Sequence, residues 1–126
     1  MTHYRKGANF ERAIVKKFWE HGFAAMRAAG SGSAPLPLPD IVAIKDGRVI
    51  VVECKTSARE SFYLGKKDVT NLEEFCRVSG AEPYIAVKFD KLVPKFIPLG
   101  AMSSKKLSKK DPFISFETLV GEQSML

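Results

Sequence analysis

The chain has 126 residues, 45% of them apolar and 27% charged, with a net charge of +6, two cysteines and two histidines. That composition suits a single folded domain, residues 1–126, with a modest core, and it excludes a disulfide-stapled or low-complexity chain and any apolar run of membrane-spanning length. The positive excess, with a pI near 9.4, points to a polyanionic partner, either nucleic acid or an anionic membrane surface.

Thr2 to Arg12 is charged and polar throughout and does not read as a signal peptide, so a cytoplasmic location is expected. Lys6 to His21 reads as the first helix, stopped by Gly22 as a left-handed cap, with Ile14, Val15, Phe18 and Trp19 as its apolar stripe. Glu11 lies three residues before Ile14 and four before Val15, so it projects from that stripe. It either complements the helix dipole in water or is aimed at other carboxylates. Arg5, Lys6 and Arg12 surround it as phosphate contacts or as a solvated basic face. His21 reads as a helix C-terminal residue.

Phe23 to Arg27 reads as a short strand. Gly30 to Pro39, with its glycines, serines and three prolines, is a loop in which Ser31 and Ser33 either hydrogen-bond phosphate or metal-held water or serve as flexible filler. Next come two Val- and Ile-rich strands, Asp40 to Lys45 and Arg48 to Lys55, joined by Asp46-Gly47, a pair suited to a two-residue hairpin turn. If Lys45 faces Arg48, then Ile44 pairs with Val49, Val42 with Val51, and Asp40 stands opposite Glu53. Opposed residues have Cβ atoms ~4.5–5.5 Å apart, where like charges repel. Either a bound cation relieves the pair or the strand end frays and the charges are solvated. Lys55 points to the same face as Glu53.

Thr56 to Ser61 reads as a loop and Phe62 to Leu64 as a short strand. Asp68 to Ser79 reads as a helix, N-capped by Asp68 and ended by Gly80, with Val69, Leu72, Phe75 and Cys76 as its stripe. Gly65-Lys66-Lys67 lacks the phosphate-loop pattern, so no nucleotide cofactor is expected and the lysines read as phosphate-backbone contacts. Tyr84 to Phe89 and Lys95 to Leu99 read as neighbouring strands, the second an edge strand marked by Pro94 and Pro98. Met102 to Pro112, with Lys105, Lys106, Lys109 and Lys110, reads as a basic loop, and Phe113 to Val120 as a last helical turn near Glu117. Cys54 and Cys76 have no metal-ligand spacing and read as reduced, partly buried thiols. The element order predicts an α/β fold with one mixed central β-sheet flanked by helices.

These residues resemble a known family. RKGANFER, GFAAMRAAGS, PDIVAIKDG, VIVVECK, YLGKKD and AVKF, in this order, are similar to the archaeal Holliday junction resolvases called Hjc, within the nuclease superfamily marked by an Asp and then Glu-X-Lys. The resemblance implies a restriction-endonuclease-like fold and a structure-selective endonuclease that resolves four-way DNA junctions in recombination and repair. It implies Glu11, Asp40, Glu53 and Lys55 as the catalytic set, a supporting role for Ser31, and DNA contacts from Arg5, Lys6, Arg12, Arg27, Lys66 and Lys67. A nucleoid-associated location and the absence of a membrane partner follow from it.

Phosphodiester hydrolysis requires neutralising the phosphate, generating a nucleophile and stabilising the departing alkoxide, which divalent ions supply. Asp40 and Glu53 offer hard oxygen ligands for Mg²⁺, with Mn²⁺ able to substitute; the Cys54 carbonyl and Glu11 would complete the shell or hold a second ion. Lys55 would orient water or face charge building on the phosphate. His3 and His21 have no placed partner, which disfavours histidine-based chemistry. Paired cuts in two strands imply a two-fold homodimer, with Phe75 and Leu72, or the Phe62 to Leu64 strand, as candidate interface. A non-catalytic nucleic-acid module and a nuclease with another substrate are the other classes; Mg²⁺-dependent strand breaks, and comparison of junction, flap and duplex cleavage, separate them.

Overall fold

The structure, a computed structural model, describes residues 3–30 and 35–121, with side chains from residue 7 onward. It runs α1 (His3–Glu20), β1 (Ala24–Arg27), β2 (Ile41–Lys45), β3 (Arg48–Ser57), β4 (Ser61–Tyr63), α2 (Lys66–Ser79), β5 (Glu82–Phe89), β6 (Lys95–Pro98), β7 (Lys106–Ser108) and α3 (Phe116–Leu119). A five-stranded mixed sheet has the order β1-β2-β3-β5-β6, and β4 pairs with β7 in a separate two-stranded ribbon.

The hairpin turn governs the centre of the sheet. Asp46 and Gly47 both take positive φ, 48° and 83°, the turn geometry that matches the twist of the flanking strands. The register is the one the turn demands: Lys45 with Arg48, Ile44 with Val49, Val42 with Val51, Ile41 with Val52. β3 then runs on to Ser57, because Lys55, Thr56 and Ser57 pair in parallel with Val87, Lys88 and Phe89 of β5. The expected loop from Thr56 therefore begins only after Ser57, since a parallel partner satisfies the polar backbone there.

Both faces of the hairpin are apolar, and each carries a packed core, although Ile44 near the turn stays 46% exposed. On one, Ile41, Ala43, Ile50 and Val52 pack with Phe10, Ile14, Phe18 and Phe23, closed below by Phe116 and Leu119 of α3. Phe18 meets Phe23 and Phe116 edge-on at 5.3 and 5.0 Å. On the other, Val51, Ile85 and Val87 pack with Val69 and Leu72 of α2, and with Leu64 and Leu107 from the ribbon. The α1 stripe is thus Phe10, Ile14 and Phe18. Trp19, expected in it, is 59% exposed and donates its indole N–H to the Ala25 carbonyl at 2.9 Å.

Three expectations are corrected at the other end of the chain. The basic segment around Lys105 to Lys110 is not all loop: Lys106–Ser108 is strand β7, paired with β4. α2 starts at Lys66 with Gly65 as N-cap and no side-chain cap bond, so Asp68 lies inside the first turn instead of capping it. Leu72 and Leu64 are spent in the chain's own core, 1% and 4% exposed, and neither is left for an interface. Gly80 (φ 76°) ends α2 as expected, the last helical turn is α3, and Cys54 and Cys76 are free, partly buried thiols. Among the described residues no helix is long and apolar enough to cross a membrane.

Candidate active site

The open end of the β2–β3 hairpin gathers the charged residues that the core does not need. Asp40 precedes β2 by one residue, and the register continued from Ile41 and Val52 puts it beside Glu53. Both are buried, at 8% and 9% exposure, and they are the only buried charged side chains among the described residues. The Cys54 N–H donates to Asp40 Oδ2 at 2.8 Å, fixing one carboxylate against the backbone of the strand that carries the other. Burial, and then the charge of Asp40, push the Glu53 carboxyl up to about 8.

Lys55 follows two residues later on the same face, where its Nζ donates to Asp68 Oδ2 at 2.6 Å. Burial pulls its pKa down, but the Asp68 hydrogen bond and the charges of Asp68, Glu53 and Asp40 outweigh this and raise it. Lys55 is therefore a fixed ammonium at the edge of the carboxylate pair. Asp68 also stands beside Glu53 and adds to the rise in its pKa. A Cβ on Gly65 would lie 3.2 Å from Asp68 Oδ2, so glycine there lets this carboxylate fold back against the helix start. Asp68 escaped the sequence reading as a site residue because a first-turn Asp is normally accounted for by the helix itself.

Glu11 comes from a different direction. α1 packs on the Ile41–Ala43–Ile50–Val52 face, opposite the face of Val51, Glu53 and Lys55, and the helix packed on that second face is α2. From its side Glu11 reaches Asp40: burial, then the Asp40 charge, raise its pKa against the pull of Arg27. Arg27 Nε donates to Glu11 Oε1 at 3.1 Å, with both side chains about one-fifth exposed (21% and 17%). Asp40 is thus the neighbour that Glu11 and Glu53 share. The Cys54 thiol between them is pushed well up by burial and by all three carboxylates. Among the described residues, no group of three or more His, Cys, Asp or Glu is close enough to hold a metal ion as it stands.

The remaining predicted residues divide. Arg12 is exposed on α1 and bonds Asn9 Oδ1 at 3.3 Å. Lys66 and Lys67 are exposed at the start of α2, just before Asp68. Arg27 is engaged by Glu11 and is not a free surface cation. Ser31 and Ser33, and the side chains of Arg5 and Lys6, lie outside the described residues. His21 is occupied structurally, its Nδ1 at 2.8 Å from the Lys17 carbonyl and its ring edge-on to Phe116.

The family described as archaeal Holliday junction resolvase (hjc) matches residues 2–123. A crossover junction endodeoxyribonuclease Hjc of Methanocaldococcus jannaschii is 40% identical over 87 residues, 69% of this chain and 62% of that protein. One from Archaeoglobus fulgidus is 40% identical over 94 residues, 75% of this chain and 69% of that one. The chain thus spans less than two thirds of the length of the first of these relatives. A solved structure of Archaeoglobus fulgidus Hjc, described as a Holliday junction resolvase from an archaeal hyperthermophile, is similar with a TM-score of 0.83 and 32% identity, covering 91% of this chain and 100% of that one.

Proposed function

The chain belongs to the archaeal Holliday junction resolvase family, and from that premise we propose that it is an endonuclease that resolves four-way DNA junctions by metal-dependent phosphodiester hydrolysis, acting as a homodimer in recombination and repair. The carrying observation is the buried Asp40–Glu53 pair, with Lys55 fixed beside it. Two carboxylates drawn out of water at a strand end cost stability unless a cation is to sit there.

The donor set fits a hard dication such as Mg²⁺, or Mn²⁺ in its place. Asp40 and Glu53 offer carboxylate oxygens, and the Glu53 pKa of about 8 shows that burial and the Asp40 charge outweigh the pull of Lys55, so a dication bound there would favour the ionised form. Glu11, reached through Asp40, and the Cys54 carbonyl would add oxygens. Bound there, the ion would supply charge neutralisation at the phosphate and acidify water. The chain's own residues do the rest. Cys54 N–H keeps Asp40 in place. Lys55, steered by Asp68, presents a positive charge to a phosphate oxygen or orients the attacking water. Arg27 holds Glu11 within reach of Asp40. Arg5, Lys6, Arg12, Lys66 and Lys67 would carry the phosphate backbone, and Ser31 would support the site from the loop before Asp40.

Paired cuts at a two-fold junction call for two such sites in a homodimer. Apolar surface open to such a contact includes Val78 beside Phe75 on α2, and Trp19, Met26 and Ile44 over β1 and β2; of these, Val78, Trp19, Met26 and Ile44 are 72%, 59%, 66% and 46% exposed. A DNA-processing role places the protein in the cytoplasm with the nucleoid.

The testing experiment is cleavage of a four-way junction, a flap and a linear duplex, with Mg²⁺ and with chelator, alongside sedimentation at micromolar concentration. Symmetric cuts at the junction that need Mg²⁺, made by a dimer, are expected. Equal cutting of duplex and junction would leave a nuclease of another substrate class. Cleavage in chelator would remove the metal, and a monomer that still makes paired cuts would remove the dimer.

A further inference from the structure

Much of the protein's positive charge lies outside every position assigned above. Residues 59–67 and 104–111, the β4–β7 ribbon with its flanks, hold seven basic and two acidic side chains, which leaves five of the chain's six net positive charges. Lys66 and Lys67 are assigned to phosphate, whereas Lys105, Lys106, Lys109 and Lys110 are not.

The ribbon is built, not merely charged. Ser61 pairs with Ser108, Phe62 with Leu107 and Tyr63 with Lys106, while Leu64 N–H donates to the Lys105 carbonyl and Lys109 N–H to that of Glu60, at 2.8 and 3.1 Å. The strand period of two sends Leu107 into the core, fully buried, and turns Lys106 and Ser108 outward. Tyr63, 74% exposed, holds the Lys106 ammonium 5.7 Å from its ring centroid. Ser108 Oγ accepts from Lys110 N–H, which leaves its hydroxyl proton to donate. Asp111 is used internally, its Oδ2 accepting from Ser108 N–H at 2.7 Å. Lys106, Lys109 and Lys110, with Ser61, Ser104 and Ser108, border an open groove of about 540 Å³ that also touches Glu60 and Asp111. The chain runs from this ribbon through Gly65 straight into Lys66, Lys67 and Asp68, the residue that holds Lys55.

We propose that the outer face of the β4–β7 ribbon is a second DNA contact, which grips the phosphate backbone of a junction arm through Lys106, Lys109 and Lys110. The proposal rests on the resolvase reading for its substrate. A cluster of ammonium and hydroxyl donors on the ribbon and the turn that follows it reads backbone and carries no base code, so it adds affinity and arm orientation without sequence preference. Its lysines are not among the charges that act on Glu11, Glu53 or Lys55, so the contact should act on binding and leave the chemical step alone.

The test compares the unaltered protein, Lys106→Ala/Lys109→Ala/Lys110→Ala, the same three positions changed to Arg, and a charge control, Lys16→Ala/Lys45→Ala/Arg48→Ala, on junctions with long and short arms over a range of salt. All three ribbon lysines are exposed, so folding is not at stake. The alanine ribbon variant should bind the long-armed junction about tenfold or more weakly and lose about two to three from the slope of log K against log salt. Its cleavage rate at saturating junction should be unchanged. The arginine variant should restore the slope, and on short arms the difference should vanish. An unchanged slope, or an equal loss in the charge control, overturns the ribbon contact. If the unaltered protein fails to prefer junction to duplex, the resolvase reading falls instead, and the ribbon is read on duplex from the same slopes.

Discussion

The two ends of the β2–β3 hairpin solve opposite electrostatic problems with the same residue type. At the turn end, Glu82 of the neighbouring strand receives Arg48 through two hydrogen bonds of 2.8 and 3.0 Å, and that guanidinium pulls its pKa down. At the open end, Glu53 faces Asp40 in a buried position, and burial with that like charge drives its pKa up to about 8. One end is finished as it stands, half in water and neutralised pairwise. At the other, burial and the Asp40 charge outweigh the pull of Lys55 and disfavour the ionised carboxylate, and this contrast, not the number of charged residues, marks the functional end.

The largest expected effect separates the two ends by activity. Glu53→Gln should lower junction cleavage by at least about 100-fold, the scale of losing one charged group from a reacting site, while junction binding persists. Glu82→Gln, the same change on the neighbouring strand, should leave cleavage as it was. Gel assays of cutting and binding on both variants check this; equal losses would mean that the open end is no more special than the turn.

Stability should separate the ends next, with opposite signs in pH. Glu53 ionises near 4.5 in the unfolded chain and near 8 in the fold, so folding takes up a proton between these values. Its stabilising contribution is complete below 4.5 and is lost as pH rises through 8. At about 1.4 kcal/mol for each pH unit that separates the two values, this amounts to a few kcal/mol at most. In chelator, the urea midpoint should therefore fall from pH 5 to pH 8; Glu53→Gln should flatten that fall, and Mg²⁺ should offset it. Glu82 has the reverse sign: its contribution is present above its ordinary value and lost as pH falls through the lowered one. A midpoint that rises between pH 5 and pH 8 in the Mg²⁺-free protein would contradict the raised pKa of Glu53.

These contrasts were only partly legible in the chain. The register was, because Asp46-Gly47 acts locally and the turn alone fixes which residues face each other. The side on which α1 packs was not, because Ile41, Ala43, Ile50 and Val52 are as apolar as Val42, Val49 and Val51, so pattern gives neither face priority. For Glu11 the sequence left open whether it faces water or other carboxylates, and its approach to Asp40 from the opposite side needed the packing. Asp68 was hidden because its partner, Lys55, is thirteen residues away in sequence, beyond any capping rule. Strand β7 was hidden because Leu107 is its single buried apolar residue among lysines and serines, too little for a period of two to show.

The smallest effect lies at the finished end. The Arg48 and Glu82 side chains are 35% and 41% exposed, so water and salt already screen most of what their geometry offers, and such a pair is worth about 1 kcal/mol or less. Arg48→Met should lower the urea midpoint only slightly, and only at low salt, because the methionine keeps an apolar stem while losing the charge. Glu82 should at the same time return toward its ordinary pKa, which titration by NMR would follow. Cleavage should not change, since Arg48 sits at the far end of β3 from Glu53 and Lys55. A loss of cleavage in this variant would mean that the two ends are coupled through the strand, and charge balance at the turn would then belong to the site.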